Sequence, residues 1–170
     1  DASVALAHGK AGLNDHYTGL PWSGQVYDDE NPHAGQAVVN SWLAGRKRAG
    51  LASFVVGTID QGLFAGLKAK HLALRHLALA GKVVIIDEAH AADQYMRHYL
   101  RRLLCWLGAY RTPVILMSAT LPPDQRDDYV KAYAEGRGDR TPPSTDRRDT
   151  YPRITSYPSP SEHPVATENR

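Results

Sequence analysis

Val83-Val84-Ile85-Ile86-Asp87-Glu88-Ala89-His90 is the stretch that decides how this chain folds. Four consecutive β-branched residues are stiff at χ1 and suit a pleated strand, and two adjacent carboxylates end the run abruptly. A short apolar run bounded in this way reads as a buried strand. Two further runs read alike, Ser53 to Gly57 before it and Pro113 to Ser118 after it. Between the first two, Leu63, Leu67, Leu74 and Leu77 keep a roughly helical spacing up to Gly81, a suitable C-terminal stop. Between the second and third, Met96, Leu100, Leu103, Leu104 and Leu107 fall at i, i+4, i+7, i+8 and i+11, closed by Gly108. Strand, helix, strand, helix, strand predicts a parallel sheet with right-handed crossovers, covered by helices and binding ligands at the C-terminal strand ends.

Outward from this middle the pattern loosens. Pro122 and Pro123 suit the first turn of another helix, which runs to about Glu135 and stops at Gly136. From residue 137 to 170, Pro, Arg, Asp, Ser and Thr crowd together, which predicts a Pro-rich loop or linker with one short strand at 151–157. Toward the start, Ser3 to Ala7 reads as a strand, Asn14 to Pro32 as irregular loop and Ala34 to Leu43 as a helix. No internal repeat is present.

The 170 residues are long enough to bury a core and read as one domain or part of one. With no initiator Met before Asp1, the chain reads as an internal stretch of a longer protein. No apolar run approaches the roughly 18 residues of a membrane span, so a soluble chain with no membrane partner is expected. The single cysteine, Cys105, cannot form an internal disulfide, which favours a reducing cytoplasm. Lys and Arg number 20 against 18 Asp and Glu, a balance too even to mark a nucleic-acid binder by itself. Clusters at Arg46, Lys47, Arg48 and at Arg97, Arg101, Arg102 could meet phosphate, but clusters this short are more often a solvated helix face.

Position gives the acid pair its force. A parallel strand delivers its last side chains to the ligand crevice, where Asp87 can bind Mg²⁺ and Glu88 can orient and deprotonate a water attacking a γ-phosphate. Mg²⁺ suits such a site because it keeps several waters and needs only one or two carboxylates. The plainer alternative is a pair of acids at the start of a helix, where the dipole favours negative charge. Ser118, Ala119 and Thr120 close the next strand, and their hydroxyls can bridge the acid site to another element. Thr120 also reads as the N-cap of the helix that follows. Thr58 and Gln61 have the spacing of a capping box after Gly57, which would aim free N–H groups at a phosphate, or simply cap a helix. His8 and Gly9 read locally as no more than a turn. His71 and His76 are five apart and, with one Cys in the chain, make no zinc cluster.

Taken together, LAHG at 6–9, VVGTIDQ at 55–61, VVIIDEAH at 83–90 and ILMSATLP at 115–122 stand in the order of the motifs of the first RecA-like domain of superfamily 2 helicases. Residues 55–122 most resemble the DEAH-type, CRISPR-associated helicase-nuclease of type I systems, and YPRIT at 151–155 resembles that family toward its second motor domain. The resemblance implies an α/β, RecA-like three-layer domain with a parallel sheet and helices on both faces, incomplete at the N-terminal side. Residues 1–136 would be the partial first motor domain. It also implies a motor that uses ATP and Mg²⁺ to move along single-stranded DNA in a bacterial or archaeal cytoplasm. Its partners would be an RNA-guided CRISPR surveillance complex and, in the same full-length chain, an HD nuclease domain and a second RecA-like domain.

Carried over by position, Asp87 and Glu88 match the Mg²⁺ and catalytic-base residues, and His90 couples hydrolysis to movement. Ser118 and Thr120 match the linkage motif, while His8, Gly9, Thr58 and Gln61 fall in motifs that line the DNA path. No G-x-x-x-x-G-K-[ST] string is present, so the phosphate loop is missing and the 170 residues alone are expected to bind ATP poorly and unwind nothing. Two alternatives remain open on the sequence: a superfamily 2 helicase of repair or RNA metabolism, and a degenerate motor domain kept as a non-catalytic DNA-binding module.

Overall fold

The computed structural model describes residues 2–7, 22–23, 37–40, 49–67, 71–91, 93–140, 152–158 and 162–164. Two compact units divide the chain, Asp1–Leu79 and Ala80–Arg170. Among the described residues no helix is long and apolar enough to cross a membrane.

The first unit holds a parallel sheet in the order β2-β3-β1-β4, formed by β1 (Ala2–Ala7), β2 (Trp22–Ser23), β3 (Ala37–Asn40) and β4 (Phe54–Gly57). The expected strands near Ser3 and Ser53 are both present, and they pair with Val4 opposite Phe54 and Ala7 opposite Gly57. Ser53 N–H donates to Ser3 Oγ at 2.9 Å, tying the two strand starts together. The helix expected over Ala34 to Leu43 is instead strand at Ala37–Asn40, where the β-branched pair Val38-Val39 outweighs its neighbours' helical preference.

One helix was expected through Leu63, Leu67, Leu74 and Leu77, and the structure has two, α1 (Ile59–Leu63) and α2 (Leu72–Leu79). Glycines at 62 and 66 weaken the helix, the backbone tightens into i→i−3 bonds at Ala65 and Gly66, and His71 takes a left-handed φ of 61° before α2 begins. His76 Nε2 donates to the Ala65 carbonyl at 2.9 Å and the Arg75 guanidinium lies 5.0 Å from the Phe64 ring centroid, fastening α2 to that turn. Beyond α2, Gly81 adopts the left-handed φ of 78° that its role as a stop requires.

The second unit pairs β5 (Val84–Ile86) in parallel with β6 (Val114–Leu116), Ile85 opposite Ile115. The crossover between them is α3 (Gln94–Ala109), started by Asp93, whose Oδ1 accepts Met96 N–H at 2.7 Å. After β6 comes α4 (Pro123–Arg137). Leu100, Leu103, Leu104 and Leu107 of α3 are buried with Tyr129, Ala132 and Ala134 of α4, and each such leucine contributes roughly 1.5–3 kcal/mol.

Both glycines expected to end these helices lie inside them. A Cβ on Gly108 would overlap the Tyr133 carbonyl, and one on Gly136 would overlap the Cys105 carbonyl, so these two let the backbones cross closely. The true ends lie beyond. Arg111, at φ 54°, ends α3 with Thr112 N–H bonding Leu107 O and Arg111 N–H bonding Gly108 O, and Gly138, at φ 77°, ends α4 with the equivalent pair to Ala134 and Glu135. Thr120 is not the N-cap of α4; Pro122 holds that place without a side-chain bond.

The strands expected to be buried are largely exposed in this structure. Ile86 is buried, but Ile85 and Ile115, opposite each other, are 61% and 48% exposed, and β4 is exposed throughout. The expected short strand within 151–157 is β7 (Arg153–Thr155), which pairs antiparallel with β8 (Glu162–Pro164), a strand with no sequence signal. Tyr157 anchors this hairpin, donating to Asp139 Oδ2 at 2.5 Å and meeting the Tyr133 ring edge-on.

Candidate active site

Parallel pairing brings the ends of β5 and β6 to one edge, because Ile86 and Leu116 are in register and the next residues of both strands leave the sheet together. Two backbone bonds hold the departing chains side by side. Met117 N–H donates to Ile86 O at 2.8 Å, and Ala89 N–H donates to Met117 O at 3.1 Å. Asp87 and Glu88 stand exposed at this edge, followed by a 3₁₀ turn at Ala89–Ala91 that begins on the fully buried Ala89. Asp87 Oδ1 accepts Glu88 N–H at 2.8 Å, which leaves Oδ2 outside that bond. Glu88 sits at φ 56°, a left-handed conformation uncommon for a residue with a Cβ and typical of sites where the surrounding structure imposes it.

His90 joins the two turns. Its Nε2 lies 3.1 Å from Glu88 Oε2, and its Nδ1 accepts Ala119 N–H at 3.3 Å. A backbone N–H can only donate, so in the neutral ring Nδ1 carries the lone pair and Nε2 the proton, which then faces the Glu88 carboxylate. Ser118 Oγ lies 3.4 Å from Nδ1 but donates at 2.8 Å to the Thr120 carbonyl, the better use of its one hydrogen. Asp87, Glu88, His90, Ser118 and Thr120 are thus gathered at one edge.

Thr58 and Gln61 belong to the first unit, at the end of β4. Thr58 is the residue before α1, as expected, but its side chain makes no capping bond; Gln61 N–H bonds the Thr58 carbonyl at 3.0 Å instead. The capping-box reading therefore fails, because this five-residue helix closes on backbone bonds alone. His8, Gly9 and the cluster Arg46, Lys47, Arg48 lie outside the described residues. Of the other basic cluster, Arg101 pairs with Asp128 at 3.2 Å across the helix pair, both about four-tenths exposed. Among the described residues no group of three or more His, Cys, Asp or Glu could hold a metal ion. The participant that sequence reasoning missed is Ala119 N–H, which has no side-chain signature.

A parallel β-α-β pair with an acidic turn and a hydroxyl turn bridged by one histidine marks this as a RecA-like α/β domain. The chain is homologous to the CRISPR-associated nuclease/helicase Cas3, and it spans about a fifth of that protein's length. It is 45% identical to Cas3 of Streptococcus thermophilus over 167 residues, covering 96% of this chain and 18% of the relative. It resembles the crystal structure of T. fusca Cas3 with AMPPNP at TM-score 0.76 and 40% identity, covering 99% of this chain and 19% of that one. A chain of a CRISPR RNA-guided surveillance complex in a pre-nicking state matches at TM-score 0.64 and 37% identity, covering 99% of this chain and 23% of that one. No protein-family model matches the sequence.

Proposed function

We propose that this chain is part of the first motor domain of an ATP-dependent helicase that moves along single-stranded DNA during CRISPR interference, ahead of nuclease degradation of the target. The observation that carries this reading is the His90 bridge, which ties the carboxylate best placed to attack-activate a water to the strand end beside it. Residues 1–136 belong to the motor domain, incomplete without a phosphate loop, and 137–170 form the linker that follows. The complete protein adds an HD nuclease domain and a second RecA-like domain, works in the bacterial or archaeal cytoplasm and is recruited by an RNA-guided surveillance complex. The named relatives support this reading, one as a nuclease/helicase, one with an ATP analogue and one within such a complex.

Chemically, Asp87 and Glu88 fit Mg²⁺ rather than a metal that demands a full protein cage. Two adjacent exposed carboxylates suffice for an ion that keeps its waters and takes further oxygens from phosphate. Asp87 would hold the ion, which when bound neutralises charge on the β- and γ-phosphates. Glu88 orients the attacking water and takes its proton. His90 holds the Glu88 carboxylate in place and reports its state to Ser118 and Thr120. In the other unit, Thr58 and Gln61, with His8 and Gly9, line the DNA path through sequence-independent phosphate contacts.

The test is Glu88→Gln in the complete protein, which keeps the side chain's shape and removes the base. ATP turnover should fall by about 10²-fold or more, the usual contribution of general-base catalysis. Oligonucleotide binding should survive and should weaken with added salt. Unchanged turnover overturns the role given to Glu88.

A further inference from the structure

Glu88 is held twice, both times by a residue of its own turn. Its N–H donates to Asp87 Oδ1 at 2.8 Å, beside a backbone set at φ 56°. Its Oε2 lies 3.1 Å from Nε2 of His90, two residues further along the chain. The carboxylate is therefore folded back over the 3₁₀ turn at Ala89–Ala91. Among the described residues, His90 is the only partner of that carboxylate.

His90 is itself fixed from the opposite side. Ala119 N–H donates to Nδ1, so the ring cannot follow the carboxylate outward without giving up its bond to the turn after β6. A general base has to come within roughly 2.6–3.2 Å of the water it deprotonates. A carboxylate tied by one oxygen to a fixed ring is not free to swing toward that water.

The hold is nevertheless easily given up. The pair is open to water on both sides, which makes it a weak contact. The left-handed backbone works against it, because a residue with a Cβ is strained there and relaxes when released. A weak tie over a strained backbone leaves two arrangements close in free energy. In that setting a ligand that favours one of them shifts the population.

We infer that the Glu88–His90 contact is a restraint on the base, holding the carboxylate back until the water that attacks the γ-phosphate draws it outward. The inference rests on the motor reading above and adds a regulation of the same site. It also fixes a sign. A contact that aimed the base would leave hydrolysis slower when His90 is removed, whereas a restraint leaves it faster.

The test compares His90→Ala, His90→Gln and Glu88→Gln in the complete protein without oligonucleotide. Calorimetry reads the binding of AMPPNP and of ADP, and phosphate release reads ATP turnover. What breaking the contact costs the triphosphate is returned when the contact is absent. His90→Ala should therefore bind AMPPNP about 2–5-fold more tightly and raise kcat/KM for ATP by a similar factor, the range of an exposed pair. ADP, which lacks the γ-phosphate, should bind as before. His90→Gln should keep wild-type values, because its amide can accept from Ala119 and donate to Glu88. Unchanged turnover in Glu88→Gln removes the base, and the restraint with it. If Glu88→Gln abolishes turnover but His90→Ala gains neither AMPPNP affinity nor kcat/KM, the base stands and the restraint alone is overturned. ADP binding that tightens as much as AMPPNP binding overturns it too, as does a Gln variant that behaves like the Ala variant.

Discussion

His90 is the residue on which the site turns, since one ring touches a carboxylate on one side and a backbone donor of the neighbouring strand on the other. Its contact with Glu88 is half open to water, with side-chain exposures of 33% and 68%, so as a surface pair it adds no more than about 0–1 kcal/mol to stability. On the motor reading proposed above, its value lies in coupling. In His90→Ala of the complete protein, melting temperature should hardly change, whereas distance travelled per ATP hydrolysed should fall about 5-fold or more, the lower end of a typical coupling free energy. A single-molecule or stopped-flow measurement of that ratio decides it, and a ratio that stays constant removes His90 from the linkage. The carboxylates and hydroxyls of this site were legible because strand ends deliver sequence neighbours to one edge. The Ala119 N–H was not, because a backbone donor looks the same at every residue. Nor was the left-handed Glu88, which no residue preference announces.

Elements were legible where one force dominated and obscure where two competed. The three β-branched runs became strands, and the leucine spacing of α3 became a buried face. Glycine misled because it serves two ends, ending a helix through a left-handed backbone or letting another backbone come close, and only the partner distinguishes them. Gly108 and Gly136 do the second and Gly138 the first. The three therefore predict different stabilities. Gly136→Ala drives a Cβ into the Cys105 carbonyl and should cost about 1–3 kcal/mol or more, since neither helix can move away without uncovering the leucines. Gly138→Ala meets open space and bears only the left-handed penalty, about 1 kcal/mol. Thermal melts of both variants check the order, and the reverse order would restore Gly136 as the helix stop.

At the scale of the whole molecule, attachment of the hairpin and depth of core set what comes apart first. Tyr157 holds β7 and β8 to the end of α4 through Asp139, whose carboxyl is kept below the usual range first by the Tyr157 hydroxyl and then by Arg137. A depressed carboxylate pKa stabilises the folded form above the unfolded value and loses that effect as pH falls through the folded one. The Tyr157 ring signals in NMR should therefore shift as pH drops below about 4, and Asp139→Asn should abolish the shift. The cores themselves differ in kind. Among the described residues, the buried apolar side chains of the first unit are Ala5, Ala52, Leu63 and Ala65, mostly single methyl groups, whereas the second unit buries Ile86, four leucines of α3 and Tyr129. Apolar burial scales with side-chain area, so α3 and α4 should open last. Native-state hydrogen exchange should find their amides slowest and those of α1 and α2 faster. Leu103→Ala leaves a cavity worth about 2–5 kcal/mol and should bring α3 and α4 down toward the others while leaving α2 where it was. If α2 and α3 exchanged at one common rate, and Leu103→Ala accelerated both equally, the two units would be unfolding as one and the division of the chain into separate cores would have no energetic meaning.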